Sequence, residues 1–139
     1  MGSFHANKEK ILEGNKKKKI LIVDDEESIR EIFEIFLKRE GFDVSLAENG
    51  EEGIKAMESQ NFDLVITDID MPGKTNGFGV IEAAYRSAPE IKVIGWSGNI
   101  TGKRADWFKE RRISFFEKPI YPLSKLKEKI DELFVRELV

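Results

Sequence analysis

The chain has no cysteine and a single histidine, His5, among its 139 residues. Those absences exclude a disulfide framework, a thiolate metal centre and any histidine-built metal site. Long apolar runs are missing too: the longest are strand-sized, and the polar start MGSFHANKEK lacks the apolar stretch of a secretory signal. A membrane partner is therefore not expected, and a cytoplasmic location is. Charge of one sign is not in excess, since 23 basic residues against 26 acidic ones leave a formal charge of -3. Nothing in that balance attracts nucleic acid or an anionic membrane globally, so an anionic ligand has to be drawn by a local site.

What is present suits one compact domain. Residues 1–18, with Gly2, Ser3, Asn7, Gly14 and Asn15 ahead of a lysine run from Lys16 to Lys19, read as a flexible leader or cloning remnant. The lysines are read as a solvated entry to the first strand rather than a polyanion-binding arm. From Ile20 onward, short apolar runs alternate five times with segments of helical periodicity, the pattern of a parallel α/β sheet. The expected strands are Ile20 to Val23, Val44 to Ala47, Leu64 to Thr67, Ile91 to Trp96 and Ser114 to Phe116. Several are apolar on both faces, as a sheet covered by helices on both sides requires.

The helices carry their own signals. Ile29, Ile32, Phe33, Phe36 and Leu37 form one buried stripe in the first, stopped by Gly41. Asn49 with Glu52 three positions on reads as a capping pair for the second. Phe78, Ile81 and Tyr85 mark the third, closed near Pro89. The fourth, around Ala105 to Arg112, has the weakest pattern and is the expected mobile element. Pro122 suits the first position of the last helix, whose apolar side carries Leu126, Ile130, Leu133, Phe134 and Leu138. One domain over residues 19–139 is expected, with no output domain or basic recognition helix after it.

In an open doubly wound sheet, ligands sit beyond the carboxyl ends of the strands, where the strand order reverses. Asp24 and Asp25 follow the first strand in KILIVDDEE, and Asp68 follows the third in FDLVITDIDMPG. With strand order 2-1-3-4-5 these three carboxylates converge, and the same end receives Ser97 after strand four and Lys118 after strand five. Clustered carboxylates resist ionising together unless a cation offsets them. An all-oxygen donor set suits Mg2+, with Mn2+ as a substitute. Lys118 adds a point charge and Ser97 a hydroxyl donor, a set suited to a phosphoryl group.

These residues resemble the receiver domains of response regulators in two-component signalling, chemotaxis-type single-domain regulators among them. The resemblance covers Lys19 to Val139 and rests on Asp24 and Asp25, Asp68 in TDIDMPG, Ser97, and Lys118 followed by Pro119. It implies a flavodoxin-like (βα)5 fold and phosphorylation of Asp68 from the phosphohistidine of a sensor histidine kinase or histidine phosphotransfer protein. It further implies Mg2+ held by Asp25, Asp68 and the Asp70 backbone carbonyl, with Asp24 acting through metal-bound water. Ser97 and Phe115 would be the switch residues, a cis bond would precede Pro119, and the surface of helix four, strand five and helix five would meet an unidentified protein target. The module would be a phosphoacceptor that assists its own dephosphorylation rather than an enzyme.

Some positions depart from the family pattern. Asp70 adds an acid two residues after the acceptor, which bears on the lifetime of the phosphoryl group. Gly95 interrupts strand four and Gly98 follows the hydroxyl residue, so a looser edge is expected there. The stretch GKTN before Gly77 is longer than usual and is expected to reshape the rim. Trp96 reads as a core aromatic and a fluorescence reporter. Two other functions compete. Asp68-Ile69-Asp70 matches the DxD nucleophile motif of haloacid-dehalogenase-like phosphatases, with Asp70 as general acid, though there the nucleophile follows the first core strand. The other is a receiver-fold scaffold that takes no phosphate.

Overall fold

A computed structural model describes residues 17–120 and 122–135. The leader before Lys17, His5 within it, and Leu138 of the last apolar stripe lie outside the described residues. Five strands alternate with five helices: β1 (Lys19–Val23), α1 (Glu27–Arg39), β2 (Asp43–Ala47), α2 (Gly50–Ser59), β3 (Leu64–Asp68), α3 (Gly77–Ser87), β4 (Lys92–Ser97), α4 (Gly102–Glu110), β5 (Ser114–Glu117) and α5 (Ser124–Val135). The strands form one parallel sheet in the order β2-β1-β3-β4-β5, the expected doubly wound topology.

Strand periodicity divides the core in two. Leu21, Val23, Val65 and Val93 face the layer of α2, α3 and α4, where they meet Met57, Val80, Ile81, Ala84 and Phe108. Their neighbours Ile20, Ile22, Leu64, Ile66 and Ile94 face α1 and α5, against Phe33, Leu37, Leu126 and Ile130. Alternate residues of one strand thus enter opposite cores, which is why β1 and β3 read as unbroken apolar runs. The parity persists to the strand ends. Trp96 belongs to the α1/α5 side, and Ser97 is directed towards α4.

The second helix starts as its capping pair predicts, with the Asn49 side chain accepting from the Glu52 N–H at 2.8 Å. The Glu52 carboxylate returns to the Glu48 N–H at 3.2 Å. Elsewhere the boundaries shift. In α1, Phe33 and Leu37 are buried while Ile32 is 48% exposed. Ile32 lies about 120° around the helix from the midpoint of those two, at the margin of the stripe. Helix α4 runs earlier than the periodicity suggested and ends before Arg112, which takes a φ of 57° in the turn to β5. Pro122 precedes α5 rather than opening it; its carbonyl accepts the Lys125 N–H at 3.1 Å in a tight lead-in turn.

Gly95 does not loosen the sheet. Strand β4 continues through it, and the Phe108 ring fills the place of the missing side chain, 2.5 Å from where a Cβ would stand. The GKTN stretch is stitched down as well: the Thr75 N–H donates to Glu51 Oε1 at 2.8 Å, and the Asn76 side chain caps α3 at the Gly79 N–H, 3.2 Å away. Its own backbone N–H foremost, with those of Thr75 and Lys74, holds the Glu51 carboxyl below its ordinary range.

Candidate functional site

The carboxyl ends of β1, β3, β4 and β5 bring the expected residues to one place. Ligand oxygens of Asp24, Asp25 and Asp68 all lie within 4.8 Å of one another. Asp24 and Asp68 are 0% and 2% exposed, and Asp25 faces solvent. The backbone fixes this convergence: the Asp24 N–H bonds the Ala47 carbonyl and the Ile69 N–H bonds the Trp96 carbonyl, so each strand end is held by its neighbour. Gly77 permits the close pass of α3 beneath the site, since a Cβ there would run into the Asp68 carbonyl oxygen and the Ile69 Cα.

Lys118 is the cation of the buried cluster. Its ammonium lies 3.0 Å from Asp68 Oδ2, 3.2 Å from Asp24 Oδ2 and 3.4 Å from Glu26 Oε1. Burial alone would pull its pKa down, but the bond to Asp68 and the charge of Asp24 raise it, so Lys118 stays charged. The Lys118 N–H donates to the Ser97 carbonyl at 2.8 Å, and the Lys118-Pro119 peptide is cis.

Asp24 is the most constrained of the acids. Its Oδ2 accepts the Trp96 indole N–H at 2.8 Å and its Oδ1 accepts the Glu26 N–H at 2.9 Å. Trp96 is more than a core aromatic, because it orients a buried carboxylate and carries the Lys118 ammonium 4.9 Å over its ring. Asp68 is less well served. Burial first, and then the charge of Asp24, push its carboxyl up to about 6, against the opposing pull of Lys118 and the Asp70 N–H. That residual strain is what an all-oxygen donor set creates when negative charge exceeds positive, so the residues fit a hard divalent cation.

Two residues away the logic reverses. Asp70 is gripped by Arg104, with Nη1 at 2.8 Å from Oδ2 and Nη2 at 2.7 Å from Oδ1. The Ser97 hydroxyl donates to Asp70 Oδ2 at 2.6 Å, and its own oxygen accepts the Asn99 N–H at 3.0 Å. The Arg104 bonds foremost hold the Asp70 carboxyl at about 2. The Arg104 fork favours the ionised carboxylate, which argues against Asp70 as the general acid of a DxD phosphatase.

The site residues named from sequence gather here with one exception. Phe115 sits half-buried on the α4 side, its ring 5.1 Å from that of Phe108. Sequence reasoning missed Arg104 and the bonding role of Trp96. A signal for the first existed: Lys103 and Arg104 put positive charge in the first turn of α4, where it opposes the helix dipole and calls for an acidic partner.

Comparison with known proteins decides the class. The family model of the response regulator receiver domain matches residues 20–131. The chain belongs to that family. This receiver is 36% identical over 103 residues to the CAI-1 autoinducer sensor kinase/phosphatase CqsS of Vibrio cholerae, covering 73% of the chain and 15% of CqsS. It is 34% identical over 105 residues to the transcriptional regulatory protein ResD of Bacillus subtilis, covering 75% of the chain and 43% of ResD. It thus spans less than half of either relative. Among solved structures, the response regulator TrrA of Thermotoga maritima, in complex with Mg(2+)-BeF, superposes with a TM-score of 0.71 at 35% identity, covering 84% of this chain and 98% of that one. The receiver is a phosphoacceptor-type signalling module by family, and no helix among the described residues is long and apolar enough to cross a membrane.

Proposed function

We propose that this receiver, formed by residues 19–139, is a switch of a two-component or phosphorelay system whose phosphoacceptor is Asp68. The observation that carries the reading is the pairing of Asp68 with Lys118 at 3.0 Å inside a three-carboxylate cluster at the switch point of the sheet. An Asp68 carboxylate oxygen attacks the phosphorus of a partner's phosphohistidine, the P–N bond breaks, and the electron pair leaves with the imidazole, which takes up a proton. The product is an acyl phosphate. Lys118 holds the acceptor carboxylate in place and offsets the charge of the incoming oxygens. Burial keeps bulk water from competing for the same charges.

Asp25, Asp68 and the Asp70 carbonyl would hold Mg2+, or Mn2+, and a bound cation would supply further charge neutralisation to the phosphoryl oxygens. With both oxygens committed to Trp96, Lys118 and the Glu26 N–H, Asp24 suits a role through bound water. Ser97 turns from Asp70 to a phosphoryl oxygen, and Phe115 moves with it, changing the surface of α4, β5 and α5 for a protein target in the cytoplasm. Autodephosphorylation returns the switch. Phosphate donors of the histidine kinase class fit the relatives' names, since one is a sensor kinase/phosphatase.

The test is intact mass after incubation with acetyl phosphate, with and without Mg2+, for wild type and Asp68→Asn. A single Mg2+-dependent, alkali-labile phosphoryl adduct absent from the variant is expected. No adduct on the wild type under rapid quenching overturns the assignment in favour of a phosphate-independent scaffold.

A further inference from the structure

The rim of the site holds an anion seat that the protein fills itself. Ser97 Oγ offers a hydroxyl proton and Arg104 a planar fork, and the Asp70 carboxylate takes both, at 2.6 Å from the hydroxyl and 2.8 and 2.7 Å from the two fork nitrogens. Arg104 Nη1 is also 3.1 Å from Ser97 Oγ, so the two donors are already assembled side by side. The seat adjoins the acceptor, because the Asp70 N–H donates to Asp68 Oδ1 at 3.1 Å. The Arg104 side chain is 29% exposed and that of Asp70 52%, which leaves the carboxylate an open way out to solvent.

We propose that Arg104 is a phosphoryl-binding residue held in reserve, and that Asp70 is the internal stand-in for the phosphoryl group. The proposal rests on Asp68 being the acceptor. A phosphoryl group on Asp68 brings nearly two negative charges beside Asp70, and the like charges repel. The more highly charged group takes the Ser97 proton and the guanidinium fork, whose bidentate geometry suits phosphate as well as carboxylate. Asp70 turns outward. Hydrogen bonds to one anion are replaced by hydrogen bonds to another, and no covalent bond changes. Arg104 belongs to the first turn of α4, so its change of partner relocates a charge at the start of that helix and couples the seat to the target-facing surface.

The test is calorimetric titration of the whole chain with beryllofluoride, a phosphoryl mimic, in excess Mg2+, with circular dichroism and unfolding midpoints to verify each variant's fold. Asp70→Asn is expected to bind about ten-fold tighter than wild type, the scale of one charge-assisted contact no longer contested. Adding Arg104→Ala to Asp70→Asn removes that gain, and adding Arg104→Lys instead keeps only part of it, because a point charge does not replace the fork. Unchanged or weaker binding by Asp70→Asn, or indifference of the Asp70→Asn protein to Arg104→Ala, overturns the proposal. Equal binding with lysine and arginine at 104 overturns the claim for the fork. If wild type neither binds beryllofluoride nor takes a phosphoryl adduct, the phosphoacceptor reading itself falls. Normal wild-type binding with flat variants sinks only the stand-in.

Discussion

Asp68 ends β3 and Asp70 lies two residues further on, yet the two have been pushed in opposite directions, one up to about 6 and the other down to about 2. The difference is one of solvation against partnership. Asp68 is buried beside a second acid and shares a single ammonium with Asp24 and Glu26, so its charge is under-compensated. Asp70 stands half in water with a guanidinium of its own. The first carboxylate, the acceptor in the proposed switch, is kept in want of positive charge; the second is already satisfied.

The strongest way to break the comparison is to exchange the two acids' fates. Asp68→Asn should abolish the phosphoryl adduct, whereas Asp70→Asn should retain it, both read by intact mass after acetyl phosphate treatment. If Asp70→Asn also abolished the adduct, the two residues would not be doing different work.

Next in size is the contrast between their cations. Lys118→Met leaves the buried carboxylates of Asp24 and Asp68 without their cation and should cost on the order of 3 kcal/mol in metal-free urea unfolding at pH 7.5. Arg104→Ala breaks a pair at the rim and should cost about 1 kcal/mol or less. Equal losses would mean that burial does not separate the two clusters.

The pH response sharpens the point. Folded, Asp68 keeps its proton to about 6, while in the unfolded chain it releases it near the ordinary value of about 3.9. Between those values the folded state binds more protons, so stability falls as pH rises through the window. Asp68→Asn should therefore stabilise the metal-free protein at pH 7.5 by on the order of 2 kcal/mol, a gain that shrinks as pH falls from about 6 to about 4. Asp70 has the opposite sign: its contribution is present at neutral pH and lost as pH falls towards about 2. Melting in EDTA across pH, wild type against Asp68→Asn, measures the first window. The smallest effect concerns orientation: Trp96→Phe keeps an aromatic ring but removes the donor to Asp24 Oδ2, and should cost about 1 kcal/mol in the same urea experiment.

How much of this was legible in the sequence follows from range. The strand ends that carry Asp24, Asp25, Asp68, Ser97 and Lys118 were readable, because apolar runs are local and the topology then places their carboxyl ends together. The Asn49 cap was readable for the same reason. Ile32 was misplaced because a stripe defined by spacing does not reveal where its margin falls. Gly95 was misread as a weakness because the ring that fills its place comes from Phe108, thirteen positions along the chain. Arg104 was passed over because its meaning depends on a partner in another loop, and α4 has too few apolar residues to reveal its start.

The meeting of Gly95 and Phe108 has a consequence for the chain's descent. A side chain at 95 and a ring at 108 claim the same volume, so neither position is free to drift alone. Bulk gained in the strand has to be surrendered by the helix, and the order of substitution matters: shrinking position 108 first leaves a hole, whereas enlarging position 95 first forces α4 off the sheet. Lineages that carry a larger residue in the strand are therefore expected to have passed through the hole.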